Sequence, residues 1–158
     1  RHCLRSRFYP LGDRTCAYIP RAFGHTRHSR RVLYNPGIYL DETTSIGEGV
    51  VICEGATITS NVTIEDNSYV QAHAVIGHDI QIGKHTIIGS NCQIGGADVI
   101  GDRVFMGFLS GTTDHIQIGD DVIISAGAIV FKDLPDEVVA VGNPARIMKK
   151  NEQKRVFK

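Results

Sequence analysis

From Leu40 to Val130 an aliphatic residue returns at every sixth position. The column reads Leu40, Ile46, Ile52, Ile58, Ile64, Val70, Ile76, Ile82, Ile88, Ile94, Ile100, Met106, Ile118, Ile124 and Val130; Thr112 interrupts it without shifting the phase. A glycine or another small or polar residue usually follows, as in Ile76-Gly77 and Ile82-Gly83, and a small or branched residue recurs four positions on, as at Val50, Ala56, Val62, Ser68 and Ala74. A helix asks for apolar residues near a period of 3.6 and a half-buried strand for strict alternation, so a period of six fits neither. A fixed repeat sustained this long marks a solenoid, and a hexapeptide period marks a parallel β-helix. Each hexapeptide supplies a short strand and a corner, where glycine, asparagine or aspartate accepts backbone angles that branched residues resist. Three hexapeptides close one triangular coil, so residues 18 apart stack at roughly the 4.8 Å spacing of neighbouring strands. Three ladders follow: Ile46-Ile64-Ile82-Ile100-Ile118, Ile52-Val70-Ile88-Met106-Ile124 and Ile58-Ile76-Ile94-Thr112-Val130. Each buried aliphatic side chain contributes on the order of 1.5–3 kcal/mol, which explains why the column tolerates so few exceptions. The predicted fold class is all-β, a parallel β-helix of about five triangular coils.

The pattern divides the chain into a flank over 1–39, the β-helix over 40–135 and a capping segment over 136–158. Tyr34, Ile38, Leu40 and Thr44 are already in phase, and no insertion breaks the register between Ile46 and Val130. Beyond Val130 the stretch Phe131–Pro135 leaves the coil, Val138–Val141 and an Asn-Pro-Ala turn bring the chain back, and Arg146–Lys158 reads as a short basic helix. Such an ending covers the open end of a solenoid, which otherwise invites edge-to-edge growth.

At 158 residues the chain is long enough for one domain with a sizeable core. No apolar run of 18 residues occurs, so no transmembrane helix and no membrane partner is expected. Residues 1–31 hold eight arginines, no lysine and one acid, Asp13, giving +7 against −7 for the remainder. A basic arm is the kind of segment that meets nucleic acid or an anionic surface. It reads here as a solvated flank or the remnant of a truncated upstream domain, and no nucleic-acid partner is expected. Cys3, Cys16, Cys53 and Cys92 form no CxxC pair, and Cys92 falls in the small inward column, where a cysteine acts as a small hydrophobe. A reduced, cytoplasmic protein is the expectation.

His78 falls at the third position of its hexapeptide, where the side chain points outward at a corner. Eighteen residues on stands Gly96, then Asp114 and Lys132 in the same column, so the histidine faces a position with no side chain. Asp79 adjoins it and is placed to orient the imidazole or stabilise its charged form. By itself an outward histidine beside an aspartate is more often decoration than catalysis. Asp98 and Thr112 stand where the core columns want small or apolar residues; they mark either a hydrogen-bonded, locally irregular coil near the groove or simply tolerated polar sites, and the second reading is preferred. Asn61-Val62-Thr63 fits a glycosylation triplet and reads as coincidence.

The run Ile76-Gly77-His78-Asp79-Ile80-Gln81-Ile82-Gly83 and the ending Val141-Gly142-Asn143-Pro144-Ala145-Arg146 resemble the left-handed β-helix acyltransferases of the hexapeptide-repeat superfamily. The similarity spans roughly residues 33–148 and is nearest to the branch of sialic acid O-acetyltransferases and nucleotide-sugar N-acetyltransferases. The left hand is implied by this resemblance; the general crossover rule would favour the right. The resemblance further implies an acetyl-CoA-dependent acetyltransferase acting on a sugar or nucleotide-linked amino sugar, with sites shared between subunits of a homotrimer. His78 maps onto the family's general base, Asp79 onto its acidic neighbour and Gln71 onto a substrate-side polar residue, usually asparagine. Gly96 and Ala126 map onto backbone contacts to the cofactor, whose thin pantetheine arm suits a groove along the coil edge. One departure is clear: relatives carry a second histidine nine residues after the base, and here Ile87 stands there, with His85 out of register. Two alternatives accompany this reading. The spacing of His73, His78 and His85 is similar to that of γ-class carbonic anhydrases, but catalytic zinc needs three protein ligands and an open position. Gly37 stands where the third histidine belongs, so no metal is expected. The other alternative is a non-catalytic β-helix scaffold.

Overall fold

The computed structural model describes residues 17–18, 33–34 and 38–154; most of the arginine-rich flank, with Cys3 and Cys16, lies outside them, as do 155–158. From Leu33–Tyr34 to Ile129–Val130 the two-residue strands fall where the period places them and stack in parallel into three sheets that form the faces of a triangular prism; Ala17–Tyr18 adds an antiparallel edge to one of them. The first face pairs Ser45–Ile46 through Gln117–Ile118. The second runs from Leu33–Tyr34 through Val51–Ile52 and Ile87–Ile88 to Ile123–Ile124. The third runs from Tyr39–Leu40 to Ile129–Val130 and holds six strands, so the prism has about six turns rather than five. Within these coils every parallel pair is 18 residues apart, as in Ile64↔Ile82 and Ile88↔Met106, and the three predicted ladders are the three inner seams.

The inner seams are dry. Ile52, Ile58, Ile64, Val70, Ile76, Ile82 and Ile88 are fully buried, and Val50, Ala56, Val62, Ala74 and Ile80 fill the angles of the triangle. Where a polar residue takes an angle position it bonds along the stack: Ser68 Oγ donates to the Gly83 carbonyl at 2.7 Å, and Thr86 Oγ1 to the Gly101 carbonyl at 2.8 Å. Cys92 is buried, its Sγ reaches the Gly107 carbonyl at 3.1 Å, and burial pushes its thiol up, away from the reactive thiolate.

The corners have two separate demands. Every sixth residue from Asn61 to Asp121 takes a positive φ, and asparagine, aspartate or histidine fills most of these positions. Ala97, Arg103 and Leu109 also accept it. The amide of the residue there is tied to the coil below, as Asp79 N–H to the Ser60 carbonyl at 3.0 Å and His85 N–H to the Asp66 carbonyl at 3.0 Å. The glycine that follows the aliphatic residue serves a different need: a Cβ on Gly89 would stand 2.5 Å from the Met106 carbonyl oxygen. Close stacking of coils, not backbone handedness, sets that glycine.

Asp98 and Thr112 are not merely tolerated. Thr112 Oγ1 donates to Asp98 Oδ2 at 2.5 Å, the Ile116 amide donates to Oδ1 at 2.7 Å, and the Gly95 amide donates to Thr112 Oγ1 at 2.9 Å. Asp98 is fully buried, and burial pushes its carboxyl above the usual range against these hydrogen bonds. The brace stiffens the turn that carries Gly95 and Gly96.

The expected C-terminal helix is overturned. Arg146–Lys150 is a strand, antiparallel to Val138–Val141, with a bulge between Val139 and Ala140. Val138–Val141 itself extends the second face by pairing with Ile123–Ile124, so the open end offers a ready ladder, and pairing with it overrides the local helical preference. Among the described residues there is no helix long and apolar enough to cross a membrane.

A charge cluster pins this cap. Arg103 Nε and Nη2 donate to Asp121 at 2.9 and 3.0 Å, Lys154 reaches Glu137 at 2.6 Å, and Asn151 Nδ2 donates to the Asp121 carbonyl at 2.8 Å. Asp121 is buried, and the Arg103 guanidinium holds its carboxyl below the usual range. A depressed folded value contributes stability that is present above the ordinary carboxylate range and is lost as pH falls through the depressed value. Arg103→Met is therefore expected to move the acid-unfolding midpoint to higher pH, read by circular dichroism between about pH 2 and 5; an unshifted midpoint would rule out the clamp.

Candidate active site

His78 and Asp79 occupy the corner that follows the third face, at the turn leaving Val75–Ile76. Both side chains are exposed, at 63% and 51%. His78 Nδ1 lies 2.8 Å from Asp79 Oδ2, and Asn61 Nδ2, one coil below, donates to Asp79 Oδ1 at 2.5 Å. The Asn61 hydrogen bond first, and the His78 contact second, hold the Asp79 carboxyl below its usual range. An ionised carboxylate only accepts, so Nδ1 carries a proton in this contact, and in the neutral ring that leaves the lone pair on Nε2.

Nε2 points along the stack toward Gly96. A Cβ on Gly96 would stand 2.7 Å from Nε2 and 2.8 Å from Cε1, so the imidazole lies against a position that only glycine leaves clear. The Gly96 amide donates to Asp114 Oδ1 at 2.8 Å, and the Ala97 amide donates to the His78 carbonyl at 2.8 Å. With the Asp98–Thr112 brace behind them, these bonds fix the turn above the histidine.

Gln71 and Ala126 sit elsewhere, on the corner that follows the second face. Gln71 Oε1 accepts from the Ser90 amide at 3.1 Å and from Ser90 Oγ at 3.2 Å, which ties it to the next coil. Ala126 lies exposed in a turn closed by the Ala128 amide on the Ser125 carbonyl at 3.1 Å, and a Cβ on its neighbour Gly127 would meet nothing within 4 Å. His78, Asp79 and Gly96 thus stand together, while Gln71 and Ala126 border the third face from its opposite edge. His73, His78 and His85 fall on three different corners, and no metal-ligating cluster occurs among the described residues. Sequence reasoning missed Asn61. The signal was present: it stands 18 residues before Asp79, directly beneath it in the stack.

Comparison with known proteins agrees with this architecture. Residues 43–78 and 61–96 match the family model for the bacterial transferase hexapeptide (six repeats), and 99–132 match the hexapeptide repeat of succinyl-transferase. A perosamine N-acetyltransferase from Caulobacter crescentus, solved with CoA and GDP-perosamine, is similar at 31% identity and a TM-score of 0.73 over 74% of this chain and 56% of that one. The acetyltransferase domain of PglB from Neisseria gonorrhoeae, solved with acetyl coenzyme A, is similar at 25% identity and 0.73 over 73% and 57%. A candidate acetyltransferase of Saccharomyces cerevisiae is 41% identical over 39 residues, 25% of this chain and 20% of that protein. The chain therefore spans little more than half of the solved relatives and a fifth of the yeast one. The two repeat models together cover more than half of the residues, in phase with the observed coils. The chain belongs to the hexapeptide-repeat transferase family, whose fold is the left-handed parallel β-helix.

Proposed function

We propose that this chain transfers the acetyl group of acetyl-CoA to the amine or hydroxyl of a sugar, with a nucleotide-linked amino sugar the first candidate and His78 the general base. The observation that carries the reading is the His78–Asp79 pair, in which the carboxylate lies 2.8 Å from Nδ1 and the Nε2 edge of the ring faces Gly96. Nε2 takes the proton that the acceptor nitrogen or oxygen loses as it bonds to the acetyl carbon. The carbon–sulfur bond breaks, and the imidazolium returns that proton to the departing thiolate. Proton transfer of this kind is typically worth about 10²–10⁴-fold in rate.

Gly96 and Ala126 are assigned to the donor side: the His78 ring packs against the side-chain-free face of Gly96, and Ala126 sits in an exposed turn. Gln71 is assigned to the acceptor side. Because these residues occupy two corners of one prism, a complete site joins the His78 corner of one subunit to the Gln71 and Ala126 corner of the next, as in a homotrimer. The CoA and GDP-perosamine bound by the Caulobacter relative support the substrate class. The free thiols Cys53 and Cys92 fit a reducing, cytoplasmic setting.

The test is thiol release from acetyl-CoA across UDP-, GDP- and dTDP-linked amino sugars and free sugars. Gly96→Ala serves as a probe of the groove: its Cβ forces the imidazole tip aside, so kcat is expected to fall roughly 10-fold or more with an unchanged unfolding temperature. Full activity in that variant would place the reacting atoms elsewhere. Failure of the chain to bind coenzyme A would end the reading.

A further inference from the structure

We propose that Asn61 is a positioning residue for His78: its side-chain amide grips the outer oxygen of Asp79 and so fixes the carboxylate that orients the imidazole. The inference rests on the reading of His78 as the base, and it is tested below in a way that separates the two.

The pair His78–Asp79 has a weakness as an orienting device. Both side chains are half or more exposed, and one hydrogen bond to a solvated aspartate leaves the carboxylate free to turn away. Asn61 removes that freedom. It stands one coil below, and its Nδ2 meets Asp79 Oδ1 at 2.5 Å while Oδ2 is engaged by His78 Nδ1 at 2.8 Å. The two carboxylate oxygens are thus held by two partners from two coils. The backbone at both ends is set by the stack: Asn61 and Asp79 have φ of 60° and 58°, and the Asp79 amide is bound to the Ser60 carbonyl. Asn61 is itself anchored, since its own amide donates to Thr43 Oγ1 at 2.6 Å. Asparagine meets both needs of the place, tolerance of a positive φ and a neutral donor that does not neutralise Asp79. Aspartate in the same position would keep the shape and set a second negative charge against the first.

The positive φ decides which variants to use. Alanine at 61 would strain the corner, whereas glycine removes the amide and accepts the backbone, as Gly49, Gly55 and Gly127 do in the same column. The measurement is the His78 imidazole tautomer, from ¹⁵N chemical shifts in the uniformly labelled chain at a pH where the ring is neutral, with His78→Ala identifying its signals. The native chain is expected to show the Nδ1–H form, and Asn61→Gly and Asn61→Asp a mixture of both tautomers. In the same variants kcat is expected to drop roughly 10-fold with KM for acetyl-CoA unchanged, the signature of a loss confined to the reacting geometry. An unaltered tautomer in Asn61→Gly would overturn the inference whatever the activity, and so would a shifted tautomer with unaltered kcat. A shifted tautomer in a chain that acetylates no sugar would uphold Asn61 as the residue that orients His78 while removing the base assignment.

Discussion

Alanine in place of His78 is expected to lower kcat for acetyl transfer by about 10²–10⁴-fold, with little change in KM and none in unfolding temperature. The size of the loss follows from the role. In the proposed reaction the acceptor's proton leaves as its lone pair attacks, and Nε2 is the atom assigned to take it. The absence of a structural cost follows from the site. The His78 side chain is exposed, its described hydrogen-bond partner is the equally exposed Asp79, and its carbonyl keeps the Ala97 amide whatever the side chain. A histidine that acted only by filling space would show the reverse, a fall in stability with activity retained. Asp79→Asn separates orientation from basicity: an amide oxygen can still accept from Nδ1–H, so the variant is expected to fall between native and His78→Ala. A loss of less than about threefold in His78→Ala would remove it from the proton-transfer step.

The second large effect concerns the fold. Ile88 is fully buried midway along the second seam, paired to Val70 below and Met106 above. Ile88→Ala is expected to cost about 2–5 kcal/mol, the transfer term of the lost carbons plus the cavity they leave. The cavity term should lie toward the upper part of that range, because backbone ladders on all three faces hold the coils apart and prevent collapse. Chemical denaturation of Ile88→Ala and Ile88→Val would measure it, with Ile88→Val expected at about 0.5–1.5 kcal/mol. Val99, exposed on the outside of the first face, supplies the control, and Val99→Ala should stay within about 0.5 kcal/mol of native. Equal effects at 88 and 99 would contradict an inward seam. In a solenoid each coil touches only its neighbours, so hydrogen exchange in Ile88→Ala should quicken in the adjoining coils before the distant ones.

Much of this architecture was legible because a period of six has one simple mechanical solution. The inward seam can be read residue by residue from Leu40 to Val130, and the strand pairs confirm it without a slip. What escaped the sequence reading has physical causes. The segment Arg146–Lys150 carries no repeat, and its strand conformation comes from the free edge of Val138–Val141, a partner in space and not in pattern. The glycines after the aliphatic positions were read as concessions to backbone angle, whereas the positive φ belongs two residues later and the glycines relieve contact between coils. For Asp98 and Thr112 the less favoured reading, a hydrogen-bonded irregular coil, is the one the structure shows, because the hydrogen bond joins two columns that the repeat treats separately. Asn61 was hidden likewise. In a linear reading it belongs with Val62 and Thr63, yet its chemistry faces Asp79.

The unbroken 18-residue spacing makes the prism a ruler with a fixed unit. One whole coil added or removed below Asn61 or above Ala126 would change the rod by roughly 4.8 Å and leave each surviving corner in its original orientation. A single extra residue inside a strand would instead turn every later side chain to the wrong face. Length in this molecule is therefore quantised. Change of size can proceed by copying or deleting entire turns, while the short stretch of edge bearing Asn61, His78 and Gly96 travels intact.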